Sequence, residues 1–262
     1  MGLIAGMLLP LYVGFDTFLL SPESFVQKPL RWLQAISKYK ATFSTSPNFA
    51  FDLCIRKIEP EEKKKLDLSS WRVCLNAAEP VRIQTMQQFY EQFKSTGFRY
   101  TVFHPGYGLA EATLLLTGDS AGEKNPVAIR ISTESLAKDT IELVDEETAK
   151  KLPQDETLLI TSSGKTWPQF HMIKIVDPSN LQECKANHIG EIWVKGDTVA
   201  AGYYQKPQET NAIFQNFLVA NDGPYMRTGD LGFFYNEEMY ICGRLKDVII
   251  IRGFKHYPQG TH

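Results

Sequence analysis

The sequence lacks an excess of charge of either sign, and it has few cysteines and histidines. Its 262 residues include 28 Lys and Arg against 30 Asp and Glu, so the formal net charge is only −2. Domains that bind nucleic acid carry a basic patch or stripe, so this balance argues against a nucleic-acid partner. The four cysteines and five histidines are scattered without metal-ligand spacing. This pattern argues against a zinc site and favours reduced, packed thiols, which are typical of a cytoplasmic protein.

An uninterrupted apolar run is missing as well. Residues 2–20 are apolar enough to raise the question of a signal peptide or a membrane span. No basic segment precedes them, however, and they are interrupted by Pro10, Asp16 and three glycines. We therefore predict no membrane-spanning segment here, and we expect a buried helix that leads into a buried strand.

The rest of the composition is that of a globular protein. The hydrophobic fraction of 43% and the charged fraction of 22% are ordinary for that class, and a chain of this length can bury one large core or two smaller ones. Up to Gly118, apolar runs and helical patterns predict an α/β sheet subdomain. The expected strands are Ala41–Ser44, Trp71–Ala78 and Tyr100–His104, and the expected helices cover residues 25–39, 47–58 and a stretch after Pro80.

From residue 119 the apolar runs shorten, and Pro, Gly and Asn separate them. Short strands are expected at Thr157–Thr161, Met172–Val176 and Glu191–Lys195, followed by a hairpin. That spacing predicts an antiparallel sheet or a distorted antiparallel β-barrel. We therefore divide the chain into an α/β subdomain (1–118), a β-barrel-like subdomain (119–245) and a final segment (246–262).

The hairpin near the end of the chain brings two charged residues together. Two short strand-forming runs, Leu231–Tyr235 and Met239–Cys242, flank a polar turn centred on Glu237. Asp230 lies seven residues before that centre and Arg244 seven after it, so both should lie at the open end of the hairpin. A carboxylate that accepts two hydroxyl hydrogen bonds, beside a planar cationic fork, would suit a ribose phosphate. On these residues alone, a turn aspartate beside a surface arginine is the commoner explanation.

Small residues end the apolar strand that begins at Trp71. Ala77 and Ala78 precede Glu79 and a proline. Ligands of open α/β sheets bind at the carboxyl ends of strands, where small residues let a flat molecule approach the backbone. A strand–helix connection kept small for packing explains the pattern equally well.

Tyr107 is flanked by two glycines, the second of which is Gly108. The sharp turn that this pattern predicts can present the ring face-on to a base, because stacking needs only a π-face. Glu111, a short distance further on, would then point towards phosphates, where a carboxylate can hold Mg²⁺. A tyrosine between glycines more often marks a tight loop and nothing more.

The order of these motifs resembles that of the adenylate-forming ligases, and within them most closely the fatty-acyl-AMP ligases. The resemblance covers nearly the whole chain. It rests on Asn-Ala-Ala-Glu-Pro-Val-Arg from residue 76, Tyr-Gly-Leu-Ala-Glu-Ala-Thr-Leu from residue 107, Arg-Thr-Gly-Asp-Leu-Gly from residue 227, Gly-Arg-Leu-Lys-Asp from residue 243, and the ending Arg-Gly-Phe-Lys-His-Tyr-Pro-Gln.

The resemblance implies a role for each candidate residue on the side of the adenine. In that family the Tyr107 ring would stack on the base, and the small residues after the strand would form one wall of the pocket, largely through the backbone. The implied adenine contacts are therefore Ala77, Ala78, Glu79, Tyr107 and Gly108.

The resemblance also implies roles on the side of the phosphates. Glu111 would hold Mg²⁺, Asp230 would bind the ribose hydroxyls, and Arg244 would contact the ribose and the phosphate. Lys246 would be the hinge about which a small C-terminal domain rotates. The implied catalytic set is thus Glu111, Arg244 and Lys246.

The implied reaction is the ATP-dependent activation of a fatty acid. The fatty-acid carboxylate would attack the α-phosphate of ATP, which gives fatty-acyl-AMP and pyrophosphate, and the acyl group would pass to an acyl carrier protein. An acyl-CoA synthetase is the closest alternative. An alternative from another class is a non-catalytic nucleotide-binding or interaction module.

The resemblance does not extend to every motif of the family. The phosphate loop that the family has before the position of Met1 is missing, and so is the lysine of its small C-terminal domain. The last three residues also depart from the family pattern. We therefore expect a truncated, engineered or proteolysed piece of a longer protein, inactive in adenylation by itself.

One stretch is longer than in the acyl-CoA synthetases. Glu111 and Glu191 lie 80 residues apart, and the surplus, roughly residues 128–151, resembles the insertion that in fatty-acyl-AMP ligases restrains the C-terminal domain. A loop excursion on a β-subdomain would look similar. Lys255 stands where the family often has asparagine, and the sequence assigns that difference no effect.

Overall fold

A computed structural model describes residues 1–119, 124–219, 221–251 and 254–257. The chain divides into two compact units. The first contains Met1–Tyr107 and Asp119–Val127, and the second contains Gly108–Gly118 and Ala128–His262. The boundaries at residues 118 and 245 that composition suggested stay predictions.

Parallel strands form the sheet of the first unit. They are β1 (Phe43–Ser46), β2 (Val73–Asn76) and β3 (Phe103–Tyr107). β2 lies between the other two, and all three lie within a few residues of their predicted places. Because the strands run in the same direction, their carboxyl ends share one edge of the sheet, and ligands of α/β proteins bind at that edge.

The helices of the first unit flank these strands in the sequence. They are α1 (Leu9–Val13), α2 (Pro22–Gln27), α3 (Leu30–Tyr39), α4 (Asn48–Lys57), α5 (Pro60–Lys63) and α6 (Ile83–Phe93), with 3₁₀ turns at Lys94–Thr96 and Tyr100–Val102. The single helix predicted over residues 25–39 is divided at Pro29, which lacks the N–H that would continue the helical ladder. Ser21 caps α2, because its hydroxyl accepts a hydrogen bond from the backbone N–H of Ser24.

Aromatic rings fill the core of the first unit. Phe51 of α4, Phe89 of α6 and Phe103 of β3 are almost completely buried. The centroid of the Phe51 ring lies 5.1 Å from that of Phe89 and 5.0 Å from that of Phe103, in edge-to-face pairs. These contacts hold α4 and α6 against the sheet, and α6 follows directly after the loop at the end of β2.

Of the buried helix and buried strand predicted for the first twenty residues, a helix is present but mostly exposed, and the strand prediction is wrong. A π-helical turn (Ile4–Leu8) continues into α1, and residues 14–21, all of them described, form no strand. Most apolar side chains here are exposed, with Leu11 at 78% and Tyr12 at 91%. An apolar sequence predicts burial only if a facing surface exists, and the described residues of the first unit provide none at these side chains. Within the described part of the chain, we find no helix with the length and hydropathy needed to cross a bilayer.

Antiparallel strands form the sheet of the second unit. They are β4 (Thr117–Gly118), β5 (Ala128–Ser132), β6 (Thr157–Thr166), β7 (His171–Asp177), β8 (Gln182–Glu183), β9 (Gly190–Gly196), β10 (Met226–Tyr235) and β11 (Glu238–Arg244). Their order is β4–β6–β11–β10–β9–β7–β8, and β5 also pairs with β6. This order is open among the described strands, so of the two architectures predicted for this part, the antiparallel sheet is confirmed rather than a closed barrel.

The segment expected to be an insertion, residues 128–151, takes part in this sheet. β5 pairs with β6 along its whole length, from Ala128 opposite Thr161 to Ser132 opposite Thr157. The segment continues into short helices, α7 (Thr133–Ala137) and α8 (Glu146–Ala149). It is therefore an ordered element and not a loop excursion, while its equivalence to the family insertion stays a prediction.

The remaining elements of the second unit are short, apart from α9 (Pro207–Phe214). They are the 3₁₀ turns Ala110–Ala112, Gln154–Glu156 and Leu245–Asp247, and the hairpin of β12 (Ile249–Ile251) and β13 (Phe254–His256). The ending that carries part of the family resemblance lies partly outside the described residues, because residues 252–253 and 258–262 are not among them.

The last described residues are anchored on the segment 128–151. Lys255 forms an ion pair with Asp139, and the Tyr257 hydroxyl donates a hydrogen bond to Asp139 Oδ1 at 2.5 Å. Tyr257 is buried in one cluster with Ile131 and Leu136. The structure thus gives a partner to Lys255, a residue whose effect the sequence left open.

The four cysteines, all of which the structure describes, form no disulfide. Cys54, Cys74 and Cys242 are buried, and burial raises the pKa of each of these thiols. They are therefore protonated and unreactive near neutral pH. The expectation that the thiols are mostly packed is confirmed, and their reduced state stays a prediction.

Candidate functional site

Asp230 and Arg244 lie side by side at the open end of the hairpin, as the spacing predicted. Arg244 Nε is 3.2 Å from Asp230 Oδ1. The Asp230 side chain is only 12% exposed, whereas that of Arg244 is 60% exposed. The carboxylate is thus held in place, while the guanidinium remains accessible to an anion. The adjacency is confirmed, and the ribose and phosphate roles stay predictions.

A one-residue shift in register creates this pairing. The hairpin turn consists of Asn236 and Glu237, both with positive φ (50° and 66°), as two-residue turns favour. From that turn alone Asp230 would face Gly243, but a bulge after Leu231 brings it opposite Arg244. The sequence placed the centre of the turn at Glu237, whereas the actual centre lies between Asn236 and Glu237. The bulge compensates for this difference, so the predicted partners are correct.

Thr228 supports Asp230 from the turn before it. The backbone N–H of Asp230 donates to Thr228 Oγ1 at 3.0 Å, and the Thr228 hydroxyl donates to the carbonyl of Ile192 at 2.8 Å. One hydroxyl therefore connects Asp230 to the neighbouring strand β9.

Glu111 lies in the 3₁₀ turn Ala110–Ala112, and a distant segment holds that turn. The backbone N–H of Ala200 donates to the Glu111 carbonyl at 2.7 Å, and the Thr113 hydroxyl donates to the carbonyl of Thr198 at 2.7 Å. The magnesium role predicted for Glu111 is not tested by these contacts, but its backbone is fixed on both sides.

Tyr203, which sequence reasoning missed, contacts the candidate site residue Glu111. Its hydroxyl donates a hydrogen bond to Glu111 Oε1 at 2.8 Å. Burial, together with the Glu111 carboxylate, raises the pKa of Tyr203 to about 12, so the hydroxyl keeps its proton and remains a donor at neutral pH. Tyr203 and Glu111 lie 92 residues apart, and no local sequence pattern connects residues at that distance.

Gly108 has a steric reason to be glycine. A Cβ at this position would collide with the carbonyl of Leu114 and would lie 2.8 Å from Leu115 Cα. The loop folds back tightly because Thr113 and Leu114 both have positive φ. The close approach explains the residue type, while contact of Gly108 with a nucleotide stays a prediction.

The adenine-side candidates of the first unit follow β2 and end β3. Ala78 has a φ of 75°, which is uncommon for a residue with a side chain and marks a sharp turn after β2. The Glu79 carboxylate accepts a hydrogen bond from the backbone N–H of Phe49, at the start of α4. Ala77 and Tyr107 are mostly buried. The contacts predicted for these residues with adenine stay predictions.

Lys246 lies in the 3₁₀ turn that follows Arg244 and is exposed. A hinge at this point would separate β11 from the hairpin of β12 and β13. Because Lys255 and Tyr257 are anchored on Asp139, rotation about Lys246 would have to break that anchor. The hinge role stays a prediction.

Comparison with known proteins identifies the family. Residues 1–204 match the AMP-binding enzyme family, which is most of the chain. The chain therefore belongs to the AMP-binding enzymes, as the order of its motifs predicted.

Two relatives from bacteria have named activities. The chain is 43% identical over 261 residues to the medium-chain-fatty-acid–[acyl-carrier-protein] ligase JamA of Moorena producens, an alignment that covers 98% of this chain and 43% of JamA. It is 38% identical over 264 residues to FadD21 of Mycobacterium tuberculosis, which carries the name of a fatty-acid–CoA ligase, and this alignment covers 99% of the chain and 44% of FadD21. The chain thus spans less than half the length of the curated relatives it matches.

A solved structure agrees with this assignment. The fatty acyl-adenylate ligase of Legionella pneumophila, solved in complex with acyl adenylate and pyrophosphate, is similar with a TM-score of 0.87 and 43% sequence identity. The similarity covers 94% of this chain and 42% of that one. The predicted fold class, α/β plus antiparallel β as part of the large domain of an adenylate-forming enzyme, is confirmed.

Proposed function

We propose that this protein activates a fatty acid with ATP, giving fatty-acyl-AMP and releasing pyrophosphate. The observation that carries the proposal is the Asp230–Arg244 pair, with a held carboxylate beside an accessible guanidinium. That pair suits a ribose with its two hydroxyls next to a phosphate. Membership of the AMP-binding enzymes supports the nucleotide, and the names of JamA and of the Legionella pneumophila ligase support the fatty acid.

The residues of the chain act in this reaction by positioning and by charge. The Asp230 carboxylate accepts hydrogen bonds from the ribose hydroxyls, and Arg244 donates to the ribose and to the α-phosphate. The fatty-acid carboxylate then attacks that phosphorus atom, and pyrophosphate leaves. Little covalent chemistry falls to the protein, because holding the reactants in line and neutralising charge lower the barrier.

Glu111 is the residue that we propose for Mg²⁺. Tyr203 occupies one carboxylate oxygen of Glu111, so the other can face a cation. In the described residues, no group of three or more potential metal ligands comes together, which fits an ion bound mainly by substrate phosphates and by one or two carboxylates. When bound, Mg²⁺ would neutralise charge on the phosphates.

Tyr203→Phe should weaken the response to Mg²⁺. Without the hydroxyl, the Glu111 carboxylate loses a charge-assisted hydrogen bond and its fixed orientation. We expect the Mg²⁺ concentration for half-maximal pyrophosphate release to rise about fivefold or more, with little change in thermal stability. The measurement is pyrophosphate release as Mg²⁺ is varied in the full-length gene product.

Tyr204→Phe is the matched control for that experiment. Tyr204 is the next residue, is 88% exposed, and its hydroxyl accepts a hydrogen bond from Gln205 Nε2 at 3.3 Å. The control should behave like the unaltered protein. An equal Mg²⁺ response in both variants would remove Tyr203 from the site.

The acyl acceptor in the proposal is an acyl carrier protein. The support is the acceptor in the name of JamA, while the name of FadD21 favours coenzyme A as the second candidate. The two acceptors have the same thiol chemistry, so product analysis separates them better than sequence does.

The deciding experiment is product analysis with the full-length gene product, ATP, Mg²⁺ and a series of fatty acids. We expect pyrophosphate and acyl-AMP in the absence of any thiol, and acyl transfer to a carrier protein rather than to coenzyme A. Acyl-CoA as the main product would favour the second candidate. ATP binding without pyrophosphate release would overturn the enzymatic proposal and leave a nucleotide-binding module.

A further inference from the structure

A buried carboxylate lies behind the turn that carries Asp230. Glu191 of β9 is 2% exposed, and a charge removed from water is costly unless it is paired and hydrogen-bonded. Its Oε2 accepts hydrogen bonds from Arg227 Nε at 2.9 Å and from Trp193 Nε1 at 3.0 Å. Its Oε1 accepts a different kind of donor, the backbone N–H of Gly229 at 3.1 Å.

The hydrogen bond to Oε1 replaces a missing part of the strand ladder. β9 and β10 pair at Arg227 and again at Leu231, with a register shift between these residues. Residues 228–230 of β10 therefore face the single residue Ile192 of β9. A bulge of this kind interrupts the ladder, and its backbone groups need other partners. The Glu191 carboxylate supplies one of them.

Steric contacts do not determine the conformation of the turn at Gly229. Gly229 has a left-handed φ of 72°, and the space where a Cβ would lie is open, with no atom of the described residues within 4 Å. Its conformation therefore depends on hydrogen bonds. These are the bond from Gly229 to Glu191 and the one from Asp230 N–H to Thr228 Oγ1.

We propose that Glu191 is a positioning residue for Asp230, acting through the backbone of Gly229. The proposal rests on the nucleotide-binding role proposed above for Asp230. A buried ion pair often serves stability alone, and the contact of Oε2 with Arg227 has that character. The other oxygen holds the turn itself, one residue before Asp230, so loss of Glu191 displaces the carboxylate that binds the nucleotide.

Glu191→Gln separates the two functions of the side chain. A glutamine has only one acceptor oxygen, and the Arg227 guanidinium attracts it. The NH₂ group then faces the backbone N–H of Gly229, and because both groups are donors, the hydrogen bond to Gly229 is lost. We expect the dissociation constant for ATP to rise about tenfold, while the KM for the fatty acid stays unchanged. Isothermal titration with ATP and steady-state kinetics on the full-length gene product measure the two quantities.

A double-mutant cycle with Asp230→Ala decides whether Glu191 acts through Asp230. If it does, Glu191→Gln adds less than about twofold to the ATP dissociation constant in the Asp230→Ala background, because the group it positions is already absent. Full multiplication of the two losses would overturn the proposal. If Asp230→Ala itself leaves ATP binding unchanged, the proposed function of Asp230 fails instead, so the two failures are distinguishable.

Glu191→Asp is the second variant, for the case that glutamine prevents folding. It keeps the negative charge near Arg227 but is one methylene shorter, so it cannot serve the guanidinium and Gly229 together. The same loss of ATP affinity, again absent in the Asp230→Ala background, is expected. A folded Glu191→Asp protein with normal ATP affinity would contradict the proposal.

Discussion

Replacing Asp230 with alanine is expected to raise the dissociation constant for ATP about 10- to 100-fold. The carboxylate is mostly buried beside Arg244, and alanine removes both acceptors that we propose for the ribose hydroxyls. Hydrogen bonds to a charged group contribute roughly 1.5–3 kcal/mol, which corresponds to the expected factor. Titration calorimetry on the full-length gene product provides the measurement.

Arg82→Ala is the control for this variant. Arg82 follows the adenine-side loop and has an exposed side chain, while its backbone N–H, which alanine retains, donates to Asn48 Oδ1 at 3.1 Å. We expect ATP affinity close to that of the unaltered protein. If the two variants fold normally and bind ATP equally, Asp230 does not bind the ribose.

Asp139→Ala is expected to let the protein form acyl-CoA. Asp139 holds Lys255 and Tyr257, which come after the hinge position predicted at Lys246. The family resemblance implies that the segment 128–151 restrains the C-terminal domain, which begins at that hinge. Loss of charge-assisted hydrogen bonds of roughly 1.5–3 kcal/mol would shift the balance towards the released form about tenfold or more. The measurement is acyl-CoA formation at saturating coenzyme A.

Glu134→Ala is the control on the same segment. Glu134 is acidic and 77% exposed, and it pairs with Lys138, which directly follows α7. We expect no acyl-CoA from this variant. A folded Asp139→Ala protein that makes acyl-AMP but no acyl-CoA would mean that the anchor does not restrain the acceptor step.

Asp139→Ala is a more specific test of the restraint than deletion of residues 128–151. Deleting residues 128–151 would also remove β5, which pairs with β6 along its whole length. It would take the buried Ile131 and Leu136 from the cluster that contains Tyr257. A loss of activity after such a deletion would therefore report on folding as much as on restraint.

The Asp230–Arg244 pair illustrates how far sequence reasoning reaches at this site. Symmetry about a turn is a local property, and it predicted the correct partners. The actual route differs, because a two-residue turn and a bulge after Leu231 together produce the register. A bulge depends on how β10 also pairs with β9, and that information is absent from the hairpin sequence.

The first twenty residues show where sequence reasoning fails. Their apolar composition predicted burial, yet Leu11 and Tyr12 are among the most exposed side chains. Apolar residues are driven out of water only when another surface can receive them, and no pattern within a segment reports whether that surface exists.

The sequence by itself determined the family, the alternation of strands and helices in the first unit, and the antiparallel hairpin with its charged pair. These features depend on residues close together in the chain, through periodicity, turn chemistry and contiguous motifs. Only the tertiary structure decided that Tyr203 orients Glu111, that Glu191 holds the turn before Asp230, and that Asp139 anchors Lys255. Each of these contacts joins residues tens of positions apart. Such a contact arises when strand order and register bring distant side chains together, and local sequence carries no record of that order.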